Sequence, residues 1–146
     1  MQLNAIIVDD EEYSRKSLFF LIDGYCPKVK IRGIAKSVQE ARQMLKSNEI
    51  DLVFLDIAMP NEDGFGLLPD LQKISGSVIF TTAHNQYALR ALKASAVDYL
   101  LKPVDIDRLR QAIIRVTAQR DIEQQAERLS LLSNTLESKQ VKNIVV

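Results

Sequence analysis

Asp51-Leu52-Val53-Phe54-Leu55-Asp56 decides the fold. Four apolar residues run into an acid, and Ile57-Ala58-Met59-Pro60-Asn61-Glu62-Asp63-Gly64 then breaks the run. A short continuous apolar stretch bounded by turn residues predicts a strand buried on both faces, as in a parallel sheet. Pro60, Asn61 and Gly64 mark the turn that follows. Asp56 therefore falls at the carboxyl end of a central strand, where open α/β sheets place their chemistry.

Outward from this stretch the chain alternates. Leu3-Asn4-Ala5-Ile6-Ile7-Val8 is a second apolar run and ends in Asp9-Asp10-Glu11-Glu12. From Glu12 the period becomes helical through Ser14, Leu18, Leu21, Ile22 and Tyr25, until Gly24 and Pro27 end it. Val29 to Ala35 alternates like a half-exposed strand. Ser37 caps a helix carried by Val38, Ala41, Met44 and Leu45. Gly66 to Ile74 predicts a third helix, with Pro69 in its first turn, and Val78 to Thr82 a fourth strand. Gln86 to Ala94 predicts another helix, Val97 to Leu101 a short fifth strand, and Asp105 caps a long helix through Val116. Strand-helix alternation with such short connections requires parallel strands. The first, third and fourth strands are wholly apolar and belong in the centre, while the second and fifth suit the edges. Right-handed crossovers then give a flavodoxin-like, three-layer (βα)5 fold with strand order 2-1-3-4-5. Its switch point brings Asp9, Asp10 and Asp56 to one crevice, with Thr82 beside them.

The 146 residues suit one domain with a modest appendage. Hydrophobic residues make up 47% and charged residues 26%, an ordinary globular balance. Lys+Arg and Asp+Glu are both 19, so no global field draws the chain to nucleic acid or an anionic membrane. One cysteine, Cys26, excludes an internal disulfide and suits a reducing compartment. No secretory signal or membrane-length apolar run is visible, and the expected compartment is the cytoplasm.

Three carboxylates in one crevice repel, by roughly 4 kcal/mol for a pair about 4 Å apart at an effective dielectric near 20. Such a cluster persists when a divalent cation neutralises it or one member is protonated. Oxygen-only ligands favour Mg2+ over zinc, for which one Cys and one His supply no ligand set. A cation beside a strand-end carboxylate also suits nucleophilic attack on phosphorus. Glu11 and Glu12 are read more simply as acids at the positive end of the first helix. Lys102, before Pro103, either reaches the crevice to pair with phosphoryl oxygens or stays a surface lysine. Thr82 either donates its hydroxyl to a phosphoryl oxygen or serves as a β-branched strand residue. Tyr99 reads from its position as an edge aromatic.

Taken in order, Asp9-Asp10, Asp56 with Met59-Pro60 and Asp63-Gly64, Thr82-Ala83, and Lys102-Pro103 resemble the bacterial response-regulator receiver domain over about residues 3–120. The resemblance implies that Asp56 accepts a phosphoryl group from a sensor histidine kinase. It implies that Asp10, Asp56 and the main-chain carbonyl of Ala58 bind Mg2+, with Asp9 acting through water. Lys102 would bond the phosphoryl group, placed by a cis bond to Pro103. Thr82 and Tyr99 would be the switch pair, moving a face built from the fourth helix, fifth strand and fifth helix; the same face would serve a homodimer. Ala58 and His84 occupy the positions that flank the bound phosphoryl group in this family. Ala58 has no polar group to position water, whereas His84 either shields the site or orients a water, or is an exposed loop residue. Phe19 and Phe20 cannot both face the sheet with Leu18 and Leu21, so one is a candidate for kinase docking.

The segments Val78 to Leu89 and Asp98 to Pro103 are similar to receivers of the LytTR (LytR/AlgR-type) regulators, whose output domain binds DNA. On this reading residues 1–121 are the receiver, 122–140 a helical extension or linker, and 141–146 the first strand of an output domain absent from the chain. Contact with DNA would come only through that domain. Ile122, Leu129 and Leu136, with Leu132 between, hint at a heptad seam too short to establish a coiled coil. The expectation is a switch, not an enzyme, catalysing only its own phosphorylation and dephosphorylation. The alternatives are a phosphorylation-independent scaffold and an aspartate-nucleophile phosphatase of the haloacid dehalogenase kind, which wants a second acid where Ala58 stands. A flavin carrier would need a phosphate-cradling loop where this chain has acids.

Overall fold

The computed structural model describes residues 2–94 and 96–145. Five parallel strands, β1 (Leu3–Val8), β2 (Val29–Ala35), β3 (Leu52–Asp56), β4 (Ser77–Thr82) and β5 (Asp98–Leu101), form one sheet in the order β2-β1-β3-β4-β5. The helices are α1 (Glu12–Tyr25), α2 (Val38–Ser47), α3 (Leu68–Lys73), α4 (Ala88–Lys93) and α5 (Ile106–Val145). This is the expected flavodoxin-like arrangement. Short 3-10 turns precede α3 at Gly64–Leu67 and α4 at Asn85–Tyr87.

The side-chain pattern explains the layering. The apolar runs of β1, β3 and β4 contribute to both faces because successive side chains alternate. Ile6, Val8, Val53, Leu55 and Phe80 pack on one face beneath α2, α3 and α4. Ala5, Ile7, Leu52, Phe54 and Ile79 pack on the other with Leu18 and Ile22 of α1 and Leu109, Ala112, Ile113 and Val116 of α5. At the edge, β2 keeps its predicted alternation but carries a bulge: Ala5 pairs with Ile31 and Ile6 with Gly33. Arg32 is the extra residue, so Val29 and Ile31 serve the α1/α5 core while Ala35 serves the α2 core.

Local capping follows the sequence. Ser37 Oγ accepts from the Glu40 amide at 3.1 Å, and Asp105 Oδ2 from the Arg108 amide at 3.1 Å. Pro69 sits in the first turn of α3, as predicted. In α1, Leu18 and Ile22 are buried, whereas Phe20 is 71% and Phe19 38% exposed. Tyr25, counted among the inward positions by periodicity, is 49% exposed and has the Arg110 guanidinium 5.6 Å from its ring centre.

One expectation at the carboxyl end changes. Residues 141–145 continue α5 and form no strand, and Val146 lies outside the described residues. A strand needs a neighbouring ladder for its amides and carbonyls, while a helix satisfies them within its own segment. The stretch 122–140 is helical as part of the same element. Although α5 spans 40 residues, no helix among the described residues is long and apolar enough to cross a membrane.

Candidate functional site

Three strand ends converge where the sheet order reverses. The register sets Val8 beside Leu55, so Asp9 follows β1 next to Asp56 at the end of β3. Asp56 pairs with Thr81, and Thr82 pairs with Leu101 immediately before Lys102. Oxygens of Asp9, Asp10 and Asp56 all lie within 4.8 Å of one another. Asp9 and Asp56 are buried and Asp10 is exposed. These three form an acidic cluster that could hold a metal, and the donor set, carboxylate oxygen throughout, fits a hard divalent cation.

Lys102 closes the cluster from β5. Its Nζ lies 2.8 Å from Asp9 Oδ2 and 3.5 Å from Asp56 Oδ2. The surface-lysine alternative is thereby excluded. Its backbone amide donates to the Thr82 carbonyl at 2.8 Å, and the Lys102–Pro103 peptide is cis, as anticipated. Both Asp9 oxygens are engaged, Oδ2 by Lys102 and Oδ1 by the Glu11 amide at 2.9 Å. A carboxylate so occupied suits contact with a cation through water more than direct ligation.

Burial pushes the Asp56 carboxyl up to about 7; Lys102 pulls it back, and Asp9 and Asp10 add to the rise. For Lys102, burial alone would lower the ammonium, but the hydrogen bond to Asp9 and the charges of Asp56 and Asp9 outweigh it and hold it above its usual value.

The loop after Asp56 is tied down. Ile57 N donates to the Thr81 carbonyl at 3.2 Å, and Gly64 N to the Ile57 carbonyl at 3.0 Å. A Cβ at Gly64 would stand 2.3 Å from the Asp56 carbonyl oxygen, so only glycine fits this return over the strand end. Asn61, at φ 71°, takes the left-handed conformation the turn needs. Ala58 is exposed within this loop, and Asp63 Oδ1 accepts from the Phe65 amide at 3.0 Å to start the following turn.

Thr82 is fully buried, and its Oγ1 accepts from the His84 amide at 3.0 Å. His84 is exposed and meets Tyr87 edge-on, ring centres 6.1 Å apart. Tyr99 is half-buried and packs against the core on the α2/α3/α4 side. A cavity of about 320 Å³ opens beside the site between α1 and the segment after β5, with Asp9, Tyr13, Ser17, Thr81, Lys102 and Val104 in its lining.

Sequence reasoning did not single out Arg15, whose Nη1 donates to the Asp9 carbonyl at 2.9 Å, or Arg42, which grips the far end of the β3–α3 loop. An arginine one helical turn into α1 carries no signal for the first contact, and nothing in the sequence joins residue 42 to residue 62.

Fold and site together define a doubly wound α/β domain with an acid cluster and a lysine at its topological switch point. The response regulator receiver domain family matches residues 5–114, and the chain belongs to that family. It is 37% identical over 120 residues to the sensory transduction protein LytT of Bacillus anthracis, covering 81% of this chain and 48% of that protein. It is 36% identical over 118 residues to the transcriptional regulatory protein LytR of Staphylococcus aureus strain N315, covering 80% and 48%. The chain thus spans about half the length of these curated relatives. Among solved structures, the REC domain of AraT from Geobacillus stearothermophilus superposes with a TM-score of 0.75 at 30% identity, covering 85% of this chain and 99% of that one. The response regulatory domain of mrkE from Klebsiella pneumoniae gives 0.72 at 28%, covering 80% and 97%. The chain is a receiver domain of the two-component type with LytR- and LytT-like relatives.

Proposed function

We propose that this domain accepts a phosphoryl group on Asp56 from a sensor histidine kinase, in a Mg2+-dependent reaction, and thereby switches the face of α4, β5 and α5. The observation that carries the reading is the Asp9–Asp10–Asp56 cluster bridged by Lys102. An Asp56 oxygen attacks phosphorus, the bond from phosphorus to the donor's histidine nitrogen breaks, and an acyl phosphate forms as histidine leaves. The attack needs ionised Asp56, which Lys102 favours over the proton that burial retains. Asp10, Asp56 and the Ala58 carbonyl would hold Mg2+, and Asp9 would reach it through water. A bound cation would offset charge on the transferring group. Lys102 would then pair with phosphoryl oxygens, and the Thr82 hydroxyl would turn towards them, drawing Tyr99 inward.

The chain modifies only itself on this account. An exposed methyl group at Ala58 offers no acid or base to drive turnover as in a phosphatase. His84, exposed two residues after Thr82, would modulate access of water to the acyl phosphate. The relatives' names, sensory transduction and transcriptional regulation, and their roughly doubled length support a DNA-binding output domain in the whole protein. A cytoplasmic location and a homodimer through α4, β5 and α5 belong to the same proposal.

The test is the intact mass after incubation with acetyl phosphate and Mg2+. We expect one phosphoryl group on the native chain and none on Asp56→Asn or with a chelator. An unmodified native chain would move the scaffold alternative ahead.

A further inference from the structure

The loop that would supply the Ala58 carbonyl is hydrogen-bonded from outside at its start and its end, and between them the Met59 side chain is buried in the core. At its start Ile57 donates to the Thr81 carbonyl of β4, and at its end Arg42 of α2 takes hold. Arg42 Nη1 donates to Glu62 Oε1 at 2.8 Å, and Nη2 donates to Glu62 Oε2 and, at 2.9 Å, to the Gly66 carbonyl. Its Nε donates to Asp70 Oδ2 at 3.0 Å. The guanidinium thus fastens both oxygens of one carboxylate, a second carboxylate and a main-chain carbonyl, half-buried between α2 and the start of α3. A Cβ on Gly66 would lie 2.1 Å from Glu62 Oε2, so the glycine leaves the room this grip needs. Hydrogen bonding to Glu62 and Asp70 raises Arg42 further, and Arg42 holds Glu62 below the usual carboxylate range.

Between the two anchors Met59 is buried in the core and its amide donates to the Ile57 carbonyl at 3.1 Å, while Ala58, Pro60 and Asn61 are exposed and the Glu62 amide donates to the Pro60 carbonyl at 2.9 Å. Met59 seats the arc on the core, and the hold on Glu62 sets the course of the exposed backbone on the far side of it, so the two together orient the Ala58 carbonyl relative to Asp56.

We propose that Arg42 is a positioning residue for phosphoryl transfer at Asp56: its grip on Glu62 and Gly66 sets the loop whose Ala58 carbonyl completes the cation site. This rests on the phosphoacceptor reading above. Lysine replaces arginine here only in part, because its point charge cannot hold both Glu62 oxygens and the carbonyl together.

The test is isothermal titration of Mg2+ into the metal-free native chain, Arg42→Met, Arg42→Lys and Glu62→Gln, with the Mg2+ dependence of phosphorylation by acetyl phosphate measured in parallel. Residues that orient ligands from outside typically change metal affinity by about 10- to 100-fold when lost. We expect Arg42→Met to weaken Mg2+ binding at the low end, about tenfold, with Arg42→Lys and Glu62→Gln weakened less. The Mg2+ concentration for half-maximal phosphorylation should rise in step, while the rate at saturating Mg2+ returns to the native value. Arg120→Met, which removes a comparable network at the opposite end of the sheet, should lower the melting temperature and leave Mg2+ affinity alone. Arg42→Met that melts earlier yet binds Mg2+ as tightly as the native chain overturns the proposal and makes Arg42 a staple only. Failure of the phosphoacceptor reading shows separately, as a native chain that takes up neither Mg2+ nor phosphoryl, and Arg42 then has no reaction to position.

Discussion

Asp56 is the residue at which folding and chemistry conflict. Its ordinary value is 3.8, and burial first, then Asp9 and Asp10, push it up to about 7 against the pull of Lys102. Between those values the folded chain binds more protons at this site than the unfolded chain, so ionising Asp56 costs stability as pH rises through that window. Asp56→Asn removes the cost. In chelator, urea unfolding should show the variant and native chain nearly equal at pH 4, with the variant ahead by on the order of 2 kcal/mol at pH 8. Equal stabilities at pH 8 would mean that Lys102 already compensates the charge. Added Mg2+ should narrow the gap by stabilising the native chain alone, since ligands bound to the folded state add stability by mass action.

At the scale of elements, the β3–α3 loop and the stretch of α5 around Arg120 do different jobs at opposite ends of the sheet. The Gly64 backbone crosses within touching distance of the Asp56 carbonyl, and Gly64→Ala forces its new methyl group into that oxygen and against Leu55. Such overpacking costs about 1–3 kcal/mol. Because the displaced atoms belong to Asp56, phosphorylation should slow as well, which a stopped-flow comparison with acetyl phosphate would read. Arg120 donates to the Asp51 carbonyl and Oδ1, both at 3.0 Å, and to the Ser75 carbonyl at 3.2 Å, fixing α5 to the entry ends of β3 and β4. Arg120→Met should lower unfolding free energy by about 1–3 kcal/mol and leave the phosphorylation rate unchanged. A fall in that rate would reveal coupling along β3 from Asp51 to Asp56.

At the scale of the molecule, two cores share one sheet, and the site sits where both meet the strand ends. Asp98, buried on β5, takes Arg115 of α5 at 2.8 Å, and Arg108 approaches at 3.7 Å, so ion pairs tie the fifth strand to the fifth helix. Beside them Leu101 is 42% exposed on the outer strand. Phosphorylation that reverses a 1:99 balance must supply about 5.5 kcal/mol of differential stabilisation. Sedimentation with acetyl phosphate and Mg2+ should show a rise towards dimer, and Leu101→Lys should suppress it while leaving Asp56 reactive. A dimer untouched by Leu101→Lys would place the contact elsewhere, with Leu129 and Leu132 of α5, 67% and 56% exposed, the next surface to substitute.

The sequence by itself determined the order of strands and helices, the sheet order and the crevice of acids. Wholly apolar runs must be central, short connections force parallel strands, and strand-end acids then meet at the switch point. Periodicity is local information, and it was enough for these. It could not show that β2 changes faces at Arg32, because the apolar residues still fall at every second position of the sequence while the bulge turns those after it to the other face. Nor could it show that residues 141–145 stay helical, since a strand-like composition becomes a strand only when another strand is present to pair with it. The tertiary structure alone decided that Lys102 reaches Asp9 and Asp56, that Gly64 lies against Asp56, and that Arg42 holds Glu62. Each is a contact between residues far apart in the chain or turned towards one another by a loop, and no spacing rule encodes where a long side chain ends.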